Sequence, residues 1–235
     1  MAVILGIETA TNVCSVALVQ EGKVLALRES QGLNEHSALL TDYISGVMAE
    51  AGFDLKQLDA IAVSIGPGSY TGLRIGVSTV KGLCYALDKP MIAVDTLKAL
   101  AWKAIDQLKR ETADFENLLF CPMIDARRME VYTALYDADL QSIEPVKALV
   151  VEPDSFDSFP QNIYFYGSGA DKCKSSLSHK SGFLFAKDNS ASAIAVCMLA
   201  LDDYAHDNFA DLAYSEPFYL KDFIAGKPRL KGLYN

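Results

Sequence analysis

A chain of 235 residues, 51% hydrophobic and 22% charged, can bury one large core or two modest ones, and its balance is globular rather than disordered. A formal charge of −9 argues against a protein whose main task is gripping nucleic acid, because phosphate contacts dominate that affinity; a local RNA patch stays open. No apolar run reaches the roughly 18 residues that span a bilayer, and residues 1–8 lack a basic flank and contain Glu8, so they read as a buried strand of a cytoplasmic chain, with no membrane partner.

Residues 3–9 form the first expected strand. A turn at 10–13 leads to a second strand at 14–20, and Glu21-Gly22-Lys23 signals a hairpin into a third at 24–30. The period then changes. Leu39, Leu40, Tyr43, Ile44, Val47, Met48 and Ala51 repeat with the spacing of an amphipathic helix, stopped by Gly52. Residues 58–64 are β-branched and apolar, as in a strand buried on both faces. Gly66-Pro67-Gly68 breaks that strand, and a small-residue helix runs over 69–87. A strand at 91–94 and a helix capped by Asp95 or Thr96 and running to 109 complete the first half.

The second half repeats the order. Strands are expected at 118–125, 130–136 and, more weakly, 146–151. A short helix is expected after Pro153, and a strand at 162–166 ends at Gly167-Ser168-Gly169. A helix toward His179, a strand at 183–185 and a helix over 192–204 follow. Both halves therefore read β-β-β-α-β-α-β-α, and each contains a strand that ends in an acid before a tight turn. A strand meander followed by right-handed crossovers gives a mixed sheet with helices on its faces. Two such units make an α/β protein of duplicated actin-like ATPase (ribonuclease H-like) architecture. The expected division is residues 1–105, an N-terminal domain carrying partner-binding helices, and residues 106–235, a degenerate C-terminal one.

Three motifs bear on chemistry. The first hairpin, Gly6-Ile7-Glu8-Thr9-Ala10-Thr11, has the acid and small turn with which this fold holds a metal and phosphate. Equally, it is a plain hairpin in which Thr9 and Thr11 bond their own backbone. Its counterpart, Asp125-Ala126-Arg127-Arg128-Met129, keeps basic groups but lacks the glycines that let backbone approach a nucleotide, so it suits a salt-bridged or partner-facing turn better than an ATP clamp. The third motif is Gly66-Pro67-Gly68-Ser69 at a helix start. It can hold an anion or serve as a tight joint, and it is no Walker loop because lysine is missing. Glu8, Thr9, Thr11, Gly66, Gly68, Asp125 and Arg127 are thus the candidate vestigial nucleotide or anion site.

The small residues continue as Gly72, Gly76, Ser78 and Gly82. Helical glycine costs up to about 1 kcal/mol against alanine, so something packs closely there, from the same chain or another. The apolar stripe of the 37–51 helix is wide enough to cover a partner, or it is simply well-covered core. The five cysteines, Cys14, Cys84, Cys121, Cys173 and Cys197, are scattered without a C-x-x-C pair and read as buried thiols; no histidine pair has metal-ligand spacing. Ser69 beside His36 lacks a G-x-S-x-G frame and an orienting acid, which disfavours a hydrolase.

The residues quoted so far, with Cys14-Ser15-Val16-Ala17-Leu18, Glu35-His36-Ser37, Tyr70-Thr71-Gly72-Leu73-Arg74-Ile75-Gly76, Glu130-Val131-Tyr132 and Glu216-Pro217-Phe218-Tyr219-Leu220-Lys221, resemble the TsaB (YeaZ) family over nearly the whole chain, with Lys221 where the family commonly has arginine. The resemblance implies a cytoplasmic, non-catalytic subunit in tRNA modification. It would scaffold and activate TsaD, which, with TsaE, moves a threonylcarbamoyl group to the adenosine 3′ of the anticodon. TsaD carries the metal on an H-x-x-x-H pair that this chain lacks. Contact with tRNA is then indirect. No cofactor is bound tightly, and ATP or ADP belongs at the complex interface or in TsaD and TsaE. The family's pairing surface, a bundle of the first two helices of each partner, maps to Leu39, Leu40, Tyr43, Val47, Gly72, Gly76 and Leu83. The same surface would give a homodimer where TsaD is absent. The alternative is an independent ATP-dependent phosphotransferase of this fold, reliant on Glu8 and Asp125. A protease has little support.

Overall fold

The computed structural model describes residues 2–32, 36–112, 115–186 and 190–221; Glu35, quoted above beside His36, lies outside them. In chain order the elements are β1 (Val3–Glu8), β2 (Val13–Gln20), β3 (Lys23–Gln31), α1 (His36–Ala51), β4 (Ala60–Gly66), α2 (Tyr70–Leu87), β5 (Met91–Asp95) and α3 (Thr96–Glu111). Then follow β6 (Leu118–Asp125), β7 (Glu130–Tyr136), β8 (Ser142–Val150), β9 (Asn162–Tyr166), α4 (Ala170–Leu177), β10 (Phe183–Phe185) and α5 (Ala193–Ala205). The elements fall within about two residues of where period and turn chemistry place them, with two larger differences. The third strand of the second half starts earlier, at Ser142. Residues 153–158 form successive turns rather than a helix, closed by amide bonds from Ser155 to Glu152 O and from Asp157 to Asp154 O, with Phe156 buried among them.

The strands form two five-stranded sheets, ordered β3-β2-β1-β4-β5 and β8-β7-β6-β9-β10. In each, the first three strands pair antiparallel and the last two join in parallel. The same order and polarity twice over is the duplicated actin-like ATPase fold. β1 is buried along its whole length, which follows from having helices on both sheet faces. Val3, Leu5 and Ile7 point to the core shared with α1 and α2, while Ile4 points to the core shared with α5.

The helices do not stay with their own halves. Leu97, Leu100, Ala104 and Leu108 of α3 pack with Leu118, Phe120 and Ile124 of β6 in the second sheet. Ala193, Val196, Cys197 and Ala200 of α5 pack on the first sheet. The two helices touch each other in the layer between the sheets. Residues 105 and 106, where the sequence suggests dividing the chain, both lie inside α3. Gly6 makes the α5 contact possible, since a Cβ there would overlap Cys197 Sγ and crowd the Ala193 carbonyl. Ser15 Oγ accepts from the Ala193 amide at 2.8 Å and donates to Glu29 at 2.7 Å, fixing the start of α5 to β2 and β3.

After α5 the chain returns as an extended strap. Ala210 bridges to Met91, Lys81 Nζ donates to the carbonyls of Ala213 (3.1 Å) and Ser215 (2.9 Å), and the Phe218 amide donates to Ile65 O at 2.7 Å. Lys221 then ion-pairs with Glu130 of the second half. No helix among the described residues is long and apolar enough to cross a membrane.

Candidate functional site

A cleft of about 1000 Å³ lies between the halves. One wall is the β1–β2 hairpin with the start of α2. The other is the β6–β7 hairpin with Ser168, and the end of the strap completes it. Thr11, Gly68, Asp125 and Arg127 of the expected site line this cleft; Glu8, Thr9 and Gly66 do not.

Glu8 is 1% exposed. It follows Ile7 on β1, so strand alternation turns it to the α5 face of the sheet, beside Ser64, and away from α2. Its carboxylate accepts from the Ala10 amide at 2.6 Å. Burial pushes its pKa up to about 7, against opposing hydrogen bonds from the backbone amides of Ala10 and Thr11. The acid expected to hold a metal thus ties its own turn from inside.

The rest of this hairpin is equally committed. Thr9 is fully buried, and its hydroxyl donates to Gly72 O at 2.8 Å, not to its own turn. Thr11 Oγ1 does accept locally, from the Val13 amide at 3.2 Å. The Ser69 amide donates to Ala10 O at 2.6 Å. A Cβ at Gly68 would overlap Ala10, and one at Gly72 or Gly76 would overlap Thr9. Three glycines at intervals of four therefore share one helix-start surface, and the hairpin of the same chain occupies it. Gly72 and Gly76, expected on the partner surface, are thus packed against Thr9 of the same chain. Leu40 and Val47 are likewise buried in the core against the first sheet. Leu39, Tyr43 and Leu83 are only partly covered, at the margin of that core. The α1 stripe is mostly consumed by its own sheet. What α2 leaves open is Thr71, Arg74, Ser78, Gly82, Tyr85 and Ala86, with Tyr85 84% exposed.

Gly66 is buried at φ +124°, a conformation suited to glycine, and a Cβ there would strike the Phe218 carbonyl of the strap. Ser69 caps α2, its hydroxyl accepting from the Gly72 amide at 3.3 Å. His36 Nε2 lies 3.1 Å from Thr11 O and 3.2 Å from Val13 O. Two carbonyls require that nitrogen to donate, so it is no base for Ser69.

Across the cleft, Asp125 Oδ1 accepts from the Arg127 amide at 2.8 Å and pairs with Lys172, whose ammonium also reaches Glu130 O at 2.6 Å. At the strap end, the rings of Tyr70 and Tyr219 lie 4.9 Å apart, Arg74 stacks 4.0 Å over Tyr70, and Arg74 Nε donates to the Tyr219 hydroxyl at 3.0 Å. The sequence motifs contain Tyr70, Arg74, Tyr219 and Lys221 without marking this aromatic corner or the place of Lys221 in the cleft wall. Tyr219 lies 145 residues from Arg74, and no local pattern joins them. No cluster of three or more His, Cys, Asp or Glu among the described residues could hold a metal.

Two copies of one unit facing each other across a cleft define an actin-like protein whose first phosphate-type hairpin is engaged by its own chain. Over residues 30–222 the chain matches the family model described as TsaD: tRNA N6-adenosine threonylcarbamoyltransferase. It is 31% identical over 236 residues to the tRNA threonylcarbamoyladenosine biosynthesis protein TsaB of Escherichia coli (strain K12), covering 95% of this chain and 96% of that one. The protein of that name in Haemophilus influenzae is 36% identical over 129 residues, 55% of this chain and about half (51%) of the relative. The structure of YeaZ from Pseudomonas aeruginosa superposes with a TM-score of 0.82 at 27% identity, covering 94% of this chain and all of that one (100%). The chain belongs to the TsaB (YeaZ) family.

Proposed function

We propose that this chain is the non-catalytic subunit of a tRNA threonylcarbamoyladenosine-forming complex, scaffolding and activating a TsaD-type transferase that works with a TsaE-type ATPase. The observation that carries the non-catalytic reading is the first hairpin. Its acid is buried, the amides of Ala10 and Thr11 are turned to that acid, and the start of α2 closes on its carbonyls. A clamp engaged in this way offers no cradle to a nucleotide phosphate. Any ATP or ADP then sits at the complex interface or in the partners, and tRNA is reached through the complex.

The partner surface in this reading keeps Leu39, Tyr43 and Leu83 and adds Ser78, Gly82 and Tyr85. Gly82 has nothing within 4 Å of where a Cβ would be, so a second helix can approach closely there. With no TsaD-type partner present, the same face pairs two copies of this chain.

The test is the mass of a mixture with the TsaD-type protein of the same organism, measured by light scattering after size exclusion, for the natural chain and for Gly82→Gln and Tyr85→Arg. A heterodimer lost in both variants, each still folded, supports the reading. No complex, even with ATP and the TsaE-type protein added, sinks it. Tight ATP binding or hydrolysis by the chain alone, abolished in Asp125→Asn, would favour an independent phosphotransferase instead.

A further inference from the structure

Residues 126–129 join β6 to β7 at the mouth of the cleft. Arg127 and Arg128 both have left-handed backbone there, at φ +74° and +52°. That conformation crowds a Cβ against the backbone and favours glycine or asparagine. The loop therefore carries two arginines where glycine would be more stable, and strain held in an exposed loop points to a use for the side chains. Both are exposed, and neither guanidinium has an ion pair among the described residues. The carboxylates of the hairpin itself are already neutralised: Asp125 pairs with Lys172 and Glu130 with Lys221. A chain of net charge −9 thus presents two uncompensated cations at one tip.

Arg127 lines the cleft together with Lys221, Tyr70 and Tyr219. Cations for phosphates beside aromatic rings for bases are what a single-stranded nucleic acid segment requires. The two rings pack on each other, and Tyr70 on Arg74 as well, yet both still line the cleft; an acidic peptide would use the cations and not that aromatic surface. We propose that the 126–129 hairpin is a phosphate clamp for RNA, with Arg127 and Arg128 on the backbone of an unpaired segment whose bases lie toward Tyr70 and Tyr219. This rests on the proposed role in tRNA modification and goes beyond it: the subunit touches the tRNA directly.

The experiment assembles the chain with its TsaD-type partner and titrates an unmodified tRNA transcript between about 50 and 200 mM salt, the range over which phosphate contacts weaken steeply. The natural chain is compared with Arg127→Gly/Arg128→Gly and with Arg127→Lys/Arg128→Lys. The glycine pair is expected to weaken binding about tenfold and to flatten the dependence of log K on log salt by about 1.4, two contacts at about 0.7 each on single strands. Its melting temperature should not fall, because glycine relieves the left-handed positions. The lysine pair should keep the slope. If the glycine pair melts lower, Arg127→Gln/Arg128→Gln is read in its place.

Unchanged affinity and slope in an assembled complex overturn the clamp. So does loss of the complex itself, which would assign the hairpin to a protein partner, or displacement of the tRNA by polyglutamate as efficiently as by RNA of equal charge. An assembled wild-type complex that binds no tRNA overturns the clamp and leaves the scaffold role standing. Failure to assemble sinks the scaffold role, and the same tRNA titrated against the chain alone then decides the clamp by the same slope change.

Discussion

Replacing Glu8 with glutamine isolates the energetic consequence of a carboxyl group turned into the core. The group sits at about pKa 7 in the folded chain against an ordinary 4.5, chiefly because burial penalises its charged form. Below about pH 4.5 the carboxyl is protonated in both folded and unfolded states, and folding pays no ionisation penalty. As pH rises toward 7 the unfolded chain releases its proton while the folded chain retains it, so folding loses stability throughout that window. Above 7 the loss is complete, at about 3 kcal/mol from the span between the two values. Glutamine keeps an oxygen for the Ala10 amide and does not titrate. Urea unfolding followed by circular dichroism at about pH 5, 6, 7 and 8 should therefore show Glu8→Gln gaining on the natural chain as pH rises, by about 2–3 kcal/mol across the series. Curves that stay parallel, or a natural chain that gains on the variant toward pH 8, would refute the reasoning. The second result would mean that the surrounding hydrogen bonds outweigh desolvation.

Two glycines of α2 should respond in opposite directions. Gly72→Ala forces a Cβ into the Thr9 carbonyl and should destabilise by about 1–3 kcal/mol. Gly82→Ala meets open space on an exposed turn and should stabilise by roughly 0.5–1 kcal/mol through helix propensity; urea midpoints that move together would sink the argument. All five cysteines are buried, and burial holds Cys14 up to about 11 and Cys84 and Cys121 up to about 12. Thiol titration with a disulfide reagent at about pH 8 should find almost none in the native chain and every one in denaturant; fast native labelling of even one cysteine would contradict the packing. Lys81→Met removes two donor contacts to the strap and should cost about 1–2 kcal/mol of local stability. Hydrogen exchange at the Phe218 amide reads this directly, and unaltered protection there would show that Lys81 does not hold the strap.

Much of the architecture is legible in the chain because it rests on short-range rules. The period-3.6 stripe from Leu40 to Met48, the β-branched run ending at Ser64 and the glycine breaks at 66–68 and 167–169 each settle a local structure within a few residues. The repeated order of those elements is enough to suggest a duplicated sheet. The motif at 66–76, with the hairpin at 6–11, is also enough to suggest the family. The Ser142 strand start was harder to see, because β8 has mostly exposed or half-exposed side chains and so little hydrophobic contrast.

What the sequence determined alone is therefore the kind and order of elements, and the places where only small residues fit. The tertiary structure decided what fills those places. A stripe of Gly68, Gly72 and Gly76 says that something approaches closely; only the fold shows that it is Thr9 and Ala10 of the same chain. Strand alternation sends Glu8 and Thr9 to opposite faces, but β1 is apolar on both, so only the packed helices reveal that Glu8 looks toward α5 and not toward the cleft. The exchange of α3 and α5 between sheets, and the strap that joins Tyr219 to Arg74 and Lys221 to Glu130, have no local signature. Backbone preference and side-chain period act over a few residues, whereas burial is decided by whichever distant surface arrives, and that choice is made by the chain as a whole.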